Sequence, residues 1–206
     1  MARRVLADFD AEILLRLANR KDITATQRAQ FFHDAYLLVA SEFPHPELQG
    51  TGTEILNANT STLAPSSITD LWWPQIVRDE TNDRLIDSIE MQKMLAKRVS
   101  AGNPTEYYWW GNVFNFDKAP STNLTLKIWY KKRPEELTAG QSPVIGREFD
   151  LLIIMRAALI GHETVGNQHM ATIQASEYNR YAQHLGLPTL EEAKNDRRKQ
   201  MQVRLS

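Results

Sequence analysis

Cysteine is absent from the 206-residue chain, and its absence removes several kinds of chemistry. Disulfide bonds, thiolate metal ligands and a cysteine nucleophile are excluded, and a reducing compartment such as the cytosol suits the sequence. Long apolar runs are missing as well: the longest covers only residues 151–155 and is too short to cross a bilayer. Acidic residues at positions 8, 10 and 12 interrupt the start of the chain, so we expect no signal peptide and no membrane partner.

An excess of one charge is also lacking. The chain has 24 Lys and Arg against 25 Asp and Glu, a formal net charge of −1. A protein that coats DNA normally needs a positive excess to neutralise phosphates, so the composition does not favour that class. The apolar share of 42% and the charged share of 24% are typical of a globular protein rather than of a disordered chain.

Signatures of catalysis are missing from the sequence too. No nucleophile-elbow pattern occurs, and the Gly50-Thr51-Gly52 segment is followed by no phosphate-binding lysine. His162-Glu163 resembles the start of a zinc motif, but His169 follows seven residues later instead of four, about two helical turns away. We therefore predict that the protein is not an enzyme and has no catalytic residues, no metal site and no cofactor.

The N-terminal quarter has a helical period. A first helix is expected after Asp8 as its N-cap, and a second is expected to begin at a capping box formed by Thr24 and Gln27. In the second helix, apolar residues recur in steps of three and four and predict one buried stripe. Its members are Ala29, Phe32, Tyr36, Val39 and Phe43.

The middle of the chain changes to strand patterns. Residues 49–65 are rich in Gly, Thr, Ser and Asn and are interpreted as a loop or a weak edge strand. Pro74 makes residues 71–77 an edge strand or a bent one. Aromatic runs on either side of Gly111-Asn112 predict a tight hairpin, and residues 124–130 alternate between apolar and polar side chains. We expect a short helix at residues 87–98 and a sheet of three antiparallel strands.

The last third returns to helices. Residues 149–160 are apolar on nearly every side, which is typical of a helix at the centre of a bundle or at a subunit contact. A further helix ends at Gly186 and Pro188, and Thr189 and Glu192 have the spacing of another capping box.

These patterns together predict an α+β fold: a helical bundle with an inserted small antiparallel β-sheet and an extended C-terminal tail. Residues 1–48 and 147–193 are expected to supply the helices of the bundle. Residues 49–146 are expected to form the β-rich insertion with one short helix, and residues 194–206 a docking tail.

Four stretches, in this order, resemble the head-to-tail connector (adaptor) proteins of tailed bacteriophages, and the resemblance covers most of the chain. They are residues 71–78 with the short helix behind them, Gly102-Asn103-Pro104-Thr105-Glu106-Tyr107 leading into the hairpin, Pro120 leading into residues 124–130, and residues 148–159. The resemblance implies a structural virion protein of the neck, made in the host cytoplasm. It also implies a ring of twelve copies that binds the portal protein and a tail or nozzle protein, and that extends the channel through which double-stranded DNA passes without sequence-specific binding.

The C-terminal tail is the first candidate site. Basic residues outnumber acidic ones after residue 193, and apolar residues alternate with polar ones, as in a segment that docks as a strand. The resemblance implies a portal contact for this segment. The candidate portal-binding residues are Arg197, Arg198, Lys199, Met201, Val203, Arg204 and Leu205. A frayed chain end gives the same pattern, and both interpretations stay open.

Two charged segments of the β-rich part form the second candidate site. Lys127, Lys131, Lys132 and Arg133 make a basic patch on the predicted wet face of a strand, and Asp79, Glu80, Asp83 and Asp87 make an acidic run. Either segment can simply be solvated, and an acidic run also suits a helix N-terminus. In a ring, however, the patch of one subunit can meet the acidic run of the next, which gives a hypothesis of inter-subunit charge contacts.

Two other functions remain open at this point. A nucleic-acid-binding regulatory protein is the main alternative, because the aromatic residues at 107–110 and 114–116 can stack on bases. Their neighbours Glu106 and Asp117 are acidic, however, so core packing is the better interpretation. The third possibility is a hydrolase, which would require His162 to share a cleft with several carboxylates.

Overall fold

The structure is a computed structural model, and it describes residues 4–43, 45–138, 140–190 and 192. Five α-helices lie in this part of the chain: α1 Leu6–Arg16, α2 Ala25–Glu42, α3 Met91–Leu95, α4 Asp150–Thr164 and α5 Gln168–His184. The nine β-strands are β1 Gln49–Leu56, β2 Thr62–Leu63, β3 Leu71–Asp79, β4 Arg84–Ser88, β5 Ser100–Ala101, β6 Glu106–Trp110, β7 Val113–Phe116, β8 Lys118–Ala119 and β9 Leu124–Lys132. Short 3-10 helices at Pro46–Leu48 and Arg147–Phe149 precede β1 and α4.

The described chain folds as two compact units. The helical unit comprises the described parts of residues 4–47 and 134–192, and it holds α1, α2, α4 and α5. The sheet unit is Leu48–Arg133, and it holds the nine strands and α3. The sheet unit is thus an insertion between α2 and α4.

Helix α4 lies at the centre of the helical unit. Its side chains are buried on nearly every side, and α1, α2 and α5 all pack against it. Gly161 permits a close approach of the neighbouring helices, since a Cβ atom there would lie 2.8 Å from the Leu17 side chain and 3.3 Å from that of Phe31. The central helix that was predicted from the all-round apolar pattern is confirmed.

The boundaries of the first two helices were predicted with unequal success. Thr24 and Gln27 form the expected capping box: the N–H of Thr24 donates to Gln27 Oε1 at 2.8 Å, and the N–H of Gln27 donates to Thr24 Oγ1 at 3.3 Å. The N-cap at Asp8 was wrong. Helix α1 begins at Leu6, and Asp8 lies in its first turn, where its carboxylate accepts the N–H of Val5 at 3.0 Å. A carboxylate is stabilised by the helix dipole at either position, so the sequence signal does not separate them.

The sheet unit is built on one mixed, seven-stranded sheet that curls into a half-barrel. The strand order is β1-β9-β3-β4-β6-β7-β2, and neighbouring strands are antiparallel except for β4 and β6. Strands β5 and β8 form a separate parallel pair. One face of the curled sheet carries the apolar core, which includes Leu56, Val77, Ile86, Tyr107, Phe114, Phe116, Leu124, Leu126 and Ile128.

This architecture contradicts the predicted fold of a helical bundle with a small inserted antiparallel sheet. The sheet dominates its part of the chain, has seven strands instead of three, and is mixed because β4 and β6 are parallel. One error concerned β1, which was interpreted as a loop or a weak edge strand. Gly50 and Gly52 occupy core-side positions of this strand, so the sequence does not show the alternation of apolar and polar residues that is typical of a strand. Another came from β4, which begins before the predicted helix; the actual helix α3 covers only Met91–Leu95.

Two other strand predictions can be compared with the structure. Of the two alternatives for residues 71–77, the edge strand is wrong because β3 is interior, and the bent strand is confirmed by register shifts between Leu71 and Trp73 and between Pro74 and Ile76. Gly111 and Asn112 have φ values of 58° and 61° and form the predicted tight turn between β6 and β7. The aromatic residues of this hairpin at positions 107, 114 and 116 are buried in the core, as core packing requires.

Candidate protein-binding face of the sheet

Strand β9 lies between β1 and β3 and divides its side chains between two faces of the sheet. Leu124, Leu126, Ile128 and Tyr130 point into the core. Thr125, Lys127, Trp129 and Lys131 lie on the opposite side, because successive residues of an extended chain alternate. We call this opposite side of β1, β9, β3 and β4 the outward face.

The outward face consists of cross-strand rows that alternate in character. The pairs between β9 and β3 are Lys127 with Arg78, Trp129 with Ile76, and Lys131 with Trp73. Rows two residues apart along a strand are about 7 Å apart. An apolar row therefore lies between two rows that carry cations.

Apolar groups on this face are open to solvent, and two of its cations are held against aromatic rings. Ile76 is 49% exposed and Leu85 of β4 is 62% exposed. The Lys127 Nζ atom lies 5.1 Å from the ring centroid of Trp129, and the Lys131 Nζ atom lies 5.8 Å from that of Trp72. Such cation–π contacts fix an ammonium group at a defined place on the surface.

The basic patch was predicted on one solvent-exposed face of a strand, but its residues are divided between the two faces of the sheet. Lys132 lies on the core side at the end of β9, where its Nζ is 4.0 Å from a carboxylate oxygen of Asp70. The same carboxylate accepts the Tyr130 hydroxyl at 2.7 Å, and burial together with this anion raises the pKa of Tyr130 to about 12. The N–H of Arg133 donates to the carbonyl of Asp70 at 2.7 Å. All these groups lie at one end of the sheet.

Asp79, the first residue of the acidic run, is a turn residue. Its carboxylate is fully buried and accepts the N–H groups of Thr81 and Asn82 at 3.0 and 3.1 Å. Arg84 Nε donates to its second oxygen at 3.3 Å. These hydrogen bonds stabilise the β3–β4 turn. Because the Asp79 carboxylate is buried, neither of its oxygens is accessible to a neighbouring chain.

Two of the remaining acidic residues are at the surface of this turn. Glu80 and Asp83 are exposed and both pair with Arg78. Asp87 is exposed on β4, on the same face as Leu85 and one row further from the turn. Glu80 and Asp83 lie at the end of the sheet opposite to Lys131 and Arg133, because β9 begins beside the turn: the N–H of Glu80 donates to the carbonyl of Thr125 at 2.9 Å.

His162, the only hint of metal chemistry in the sequence, is a buried packing residue. Its Nε2 lies 3.2 Å from the carbonyl oxygen of Arg16, and its Nδ1 has no hydrogen-bond partner within the part of the chain that the structure describes. In that same part, no group of three or more His, Asp or Glu side chains could hold a metal ion.

Sequence reasoning missed a buried ion pair in the helical unit. Arg156 Nη2 of α4 lies 3.6 Å from Glu42 Oε1 of α2, and the Tyr178 hydroxyl of α5 donates to Glu42 Oε2 at 3.1 Å. The arginine inside the apolar run of residues 151–159 was the available signal, because a cation in such a run requires a partner when it is buried. The ion pair and the tyrosine hydroxyl together join three helices.

The C-terminal candidate site, Arg197 to Leu205, lies outside the described residues, and its prediction stays a prediction. The capping box before it is confirmed: the N–H of Thr189 donates to Glu192 Oε2 at 2.7 Å, which lowers the pKa of Glu192. Within the described ranges, no helix is long and apolar enough to cross a membrane. The chain matches no protein-family model, and a comparison with curated proteins found no match.

Proposed function

We propose that this protein is a structural virion protein, an adaptor whose copies form a ring in the neck between the portal and the tail of a bacteriophage. The ring binds the portal protein and a tail protein, and it extends the channel for double-stranded DNA. It is made in the host cytoplasm and remains in the virion. The observation that carries the proposal is the outward face, an ordered sheet surface with open apolar groups between cations.

Such a surface has the composition of a contact site between proteins. Exposed apolar groups gathered on one rigid face mark interaction sites, and Trp and Arg are enriched among the residues that contribute most binding energy. Ile76 and Trp129 supply the apolar centre, and Lys127, Lys131 and Arg78 supply a charged rim. Because the groups stand on paired strands, little ordering is needed when a partner binds.

The resemblance to adaptor proteins points in the same direction. Three of the four resembling stretches coincide with elements that build the two cores: β3, β9 and α4. The resemblance therefore concerns the framework of both units as well as the surface of the sheet.

The direct test is binding to the portal protein encoded in the same viral genome. We expect the full chain to associate with portal rings in sedimentation or electron microscopy, and a chain that ends at Asn195 to lose that association. A Lys93→Glu variant, altered at an exposed position of α3, serves as the control and should bind as the wild type does. A full chain that associates with no virion component would contradict the proposal.

A nucleic-acid-binding protein is the second candidate, and the outward face favours it more than the sequence did. The order Lys127, Trp129, Lys131 along β9 interleaves cations with an aromatic ring, as in surfaces that bind single strands. Retention of an oligonucleotide by the purified chain that falls steeply with added salt would favour this function. The adaptor proposal expects no retention at physiological salt.

A further inference from the structure

Strand β1 is one edge of the seven-stranded sheet, and it lacks the features that usually protect such an edge. It pairs with β9 residue by residue from Gln49 to Leu56, without a bulge. It contains no Pro and no Lys, and its one charged side chain, Glu54, is buried and accepts the N–H groups of Ser67 and Ile68. The opposite edge, β2, is only two residues long. A long, regular edge without protection pairs readily with another strand.

The hydrogen bonds of β9 show which main-chain groups of β1 face the free edge. In an antiparallel sheet, the N–H and C=O of one residue point to the same side of the strand, and successive residues point to opposite sides. Thr125 accepts the N–H of Glu80 at 2.9 Å and donates its own N–H to Thr81 Oγ1 at 3.0 Å. Just after the other end of β9, the N–H of Arg133 donates to the carbonyl of Asp70 at 2.7 Å. The odd-numbered residues of β9 therefore direct their main chain towards β3.

The odd-numbered residues of β1 consequently point away from β9. Ile55 lies opposite Thr125, whose main chain is turned to β3, so this pair exchanges no hydrogen bonds. The same holds for every second residue back along β1. The residues that direct both N–H and C=O to the free edge are Gln49, Thr51, Thr53 and Ile55. All of them are exposed, and among the described residues none of these main-chain groups bonds to another segment.

We propose that β1 of a second copy pairs with β1 in antiparallel orientation across a two-fold axis, so that the sheets of the two copies become continuous. Only odd-numbered residues can exchange hydrogen bonds, which restricts the register. One register uses all of them: Gln49 lies opposite Ile55 of the second copy, Thr51 lies opposite Thr53, and Gly52 lies opposite itself on the axis. Each odd-numbered pair then exchanges two main-chain hydrogen bonds. A shift of the register by two residues loses at least one such pair.

The side chains along this edge suit a second copy of the same strand. Those of the odd-numbered residues are all uncharged, so the two-fold axis brings no like charges together. Thr51 and Thr53 of the two copies become cross-strand neighbours, and Thr pairs of this kind are favourable. Lys127, which pairs with Thr53 within the sheet, lies one strand further in. Its two copies are three strand spacings apart, about 14 Å, which exceeds the screening length of about 8 Å.

The contact closes at two copies, because each copy has one β1 edge and uses it once. It is separate from the head-to-tail contacts that a ring requires. The inference goes beyond the proposed function, since it follows from the geometry of the sheet alone. One pair of short strands is smaller than a standard interface, so we expect a dissociation constant of about 10–100 μM. In the free protein, this pairing covers an edge that is otherwise open to non-specific strand addition.

Lysine at the edge tests the contact. The variant Thr51→Lys with Thr53→Lys places like charges opposite one another across the axis, and it should stay monomeric in sedimentation velocity from about 1 to about 500 μM. The wild type should pass from monomer to dimer over that range. The matched control carries Thr172→Lys and Ser176→Lys, the same change of charge at exposed positions of α5, and should dimerise as the wild type does. Far-UV circular dichroism and tryptophan fluorescence establish that each variant is folded.

Thr53→Pro is the second variant. Pro is tolerated on an edge strand where the N–H points outward, but it removes one donor from each copy. We expect this variant to unfold cooperatively, as the wild type does, and to dimerise at least about tenfold more weakly, since two hydrogen bonds are lost per dimer. If the lysine variant is not folded, this variant replaces it.

Amide hydrogen exchange measured by NMR gives a readout that needs no substitution. The N–H groups of Thr51 and Thr53 should exchange more slowly in concentrated than in dilute protein, because they are bonded only in the dimer. The N–H groups of Gly52 and Glu54 face β9 and should exchange at rates that do not depend on concentration. The alternation from residue to residue distinguishes strand pairing from other contacts between copies.

A wild type that stays monomeric over the whole range would overturn the inference, and so would a folded lysine variant that dimerises as the wild type does. Species larger than two copies would overturn the two-fold pairing. Slow exchange at Thr51 and Thr53 that is independent of concentration, and that is lost in a chain ending at Asn195, would show that the C-terminal segment of the same chain covers the edge instead. A chain that dimerises through β1 but binds no virion component would leave this inference standing and contradict the proposed function alone.

Discussion

Asp117 joins the end of β7 to the start of β6 through its side chain. Its carboxylate is 8% exposed and accepts the N–H of Thr105 at 2.9 Å, the Thr105 hydroxyl at 2.8 Å and the N–H of Glu106 at 3.1 Å. Burial on its own would raise the pKa of Asp117. These hydrogen bonds and the nearby Lys118 outweigh burial and hold the pKa below its usual value. A single carboxylate thus fixes the register at the entry of the aromatic hairpin.

We expect Asp117→Asn to lower the free energy of unfolding by about 1–3 kcal/mol near pH 7, because an amide replaces a charged acceptor of three hydrogen bonds. The folded pKa is lower than the unfolded one, so the carboxylate stabilises the fold fully above the unfolded pKa of about 3.9. That stability is lost as the pH falls through the folded pKa. Urea unfolding should therefore show a difference between wild type and variant that shrinks towards about pH 3.

Glu163→Gln, at an exposed position of α4, is the matched control and should leave the same curve unchanged. A stability difference for Asp117→Asn that is equally large at both pH values would show that the effect comes from packing and not from the charge.

At the scale of elements, the edge strand β1 depends on glycine to approach its neighbours. A Cβ atom on Gly52 would lie 2.5 Å from Cγ1 of Ile68, and the N–H of Ile68 is held by Glu54 Oε1 at 3.1 Å. The N–H of Ser67 donates to the same oxygen at 2.7 Å. The segment before β3 is thereby tied across the core side of β1, which leaves no room for a side chain at residue 52.

Gly52→Ala is expected to destabilise the protein by about 1–3 kcal/mol, because the added methyl group must displace a buried side chain. Ile68→Ala should cost about 2–5 kcal/mol on its own, since it leaves a cavity. The double variant should cost less than the sum by at least about 1 kcal/mol, because the methyl group then enters the space that Ile68 vacates. Thermal and urea unfolding of the four proteins measure this coupling.

Gly140→Ala is the control, since nothing lies within 4 Å of the added Cβ atom, and it should shift the stability by less than about 0.5 kcal/mol. Strictly additive effects of the changes at positions 52 and 68 would contradict the close contact that the structure shows between them.

The same strand shows why part of the fold could be predicted from the sequence and part could not. The hairpin at Gly111-Asn112 and the central helix α4 depend on local signals, a turn that needs positive φ and a run that is apolar all round. Strand β1 depends on what lies beside it, since Gly50 and Gly52 occupy core-side positions because Tyr130 and Ile68 fill the space. No pattern within residues 49–56 contains that information.

The candidate site follows the same division. The alternation of residues 124–130 was enough to place Lys127 and Lys131 on the wet side of a strand. The pairing of Trp129 with Ile76 could not be derived, because it joins segments far apart in sequence and depends on the bulges beside Pro74. Register of this kind is set by tertiary contacts, and one residue of slip would turn every outward side chain inward.

At the scale of the whole molecule, the sheet unit is one uninterrupted segment whose ends meet. Gln49 of β1 pairs with Lys131 of β9, so the chain enters and leaves the unit on adjacent strands. The unit has an apolar core of its own, built from twelve buried residues between Leu56 and Tyr130. A contiguous segment with its own core and adjacent ends has the properties of a domain that folds alone.

We therefore expect residues 48–133, expressed alone, to fold with a cooperative thermal transition, and the remaining chain, with a short Gly-Ser linker between Glu47 and Pro134, to keep its helical signal. All five tryptophans, at positions 72, 73, 109, 110 and 129, lie in the sheet unit, so tryptophan fluorescence follows that unit selectively. Far-UV circular dichroism follows mainly the helical unit.

Glu42→Ala in the full chain tests whether the two units unfold separately. The change leaves Arg156 buried without its carboxylate, so it should lower the midpoint temperature measured by circular dichroism more than the midpoint temperature measured by tryptophan fluorescence. Two transitions that move together, or an isolated segment without a cooperative transition, would mean that the sheet requires the helices to fold.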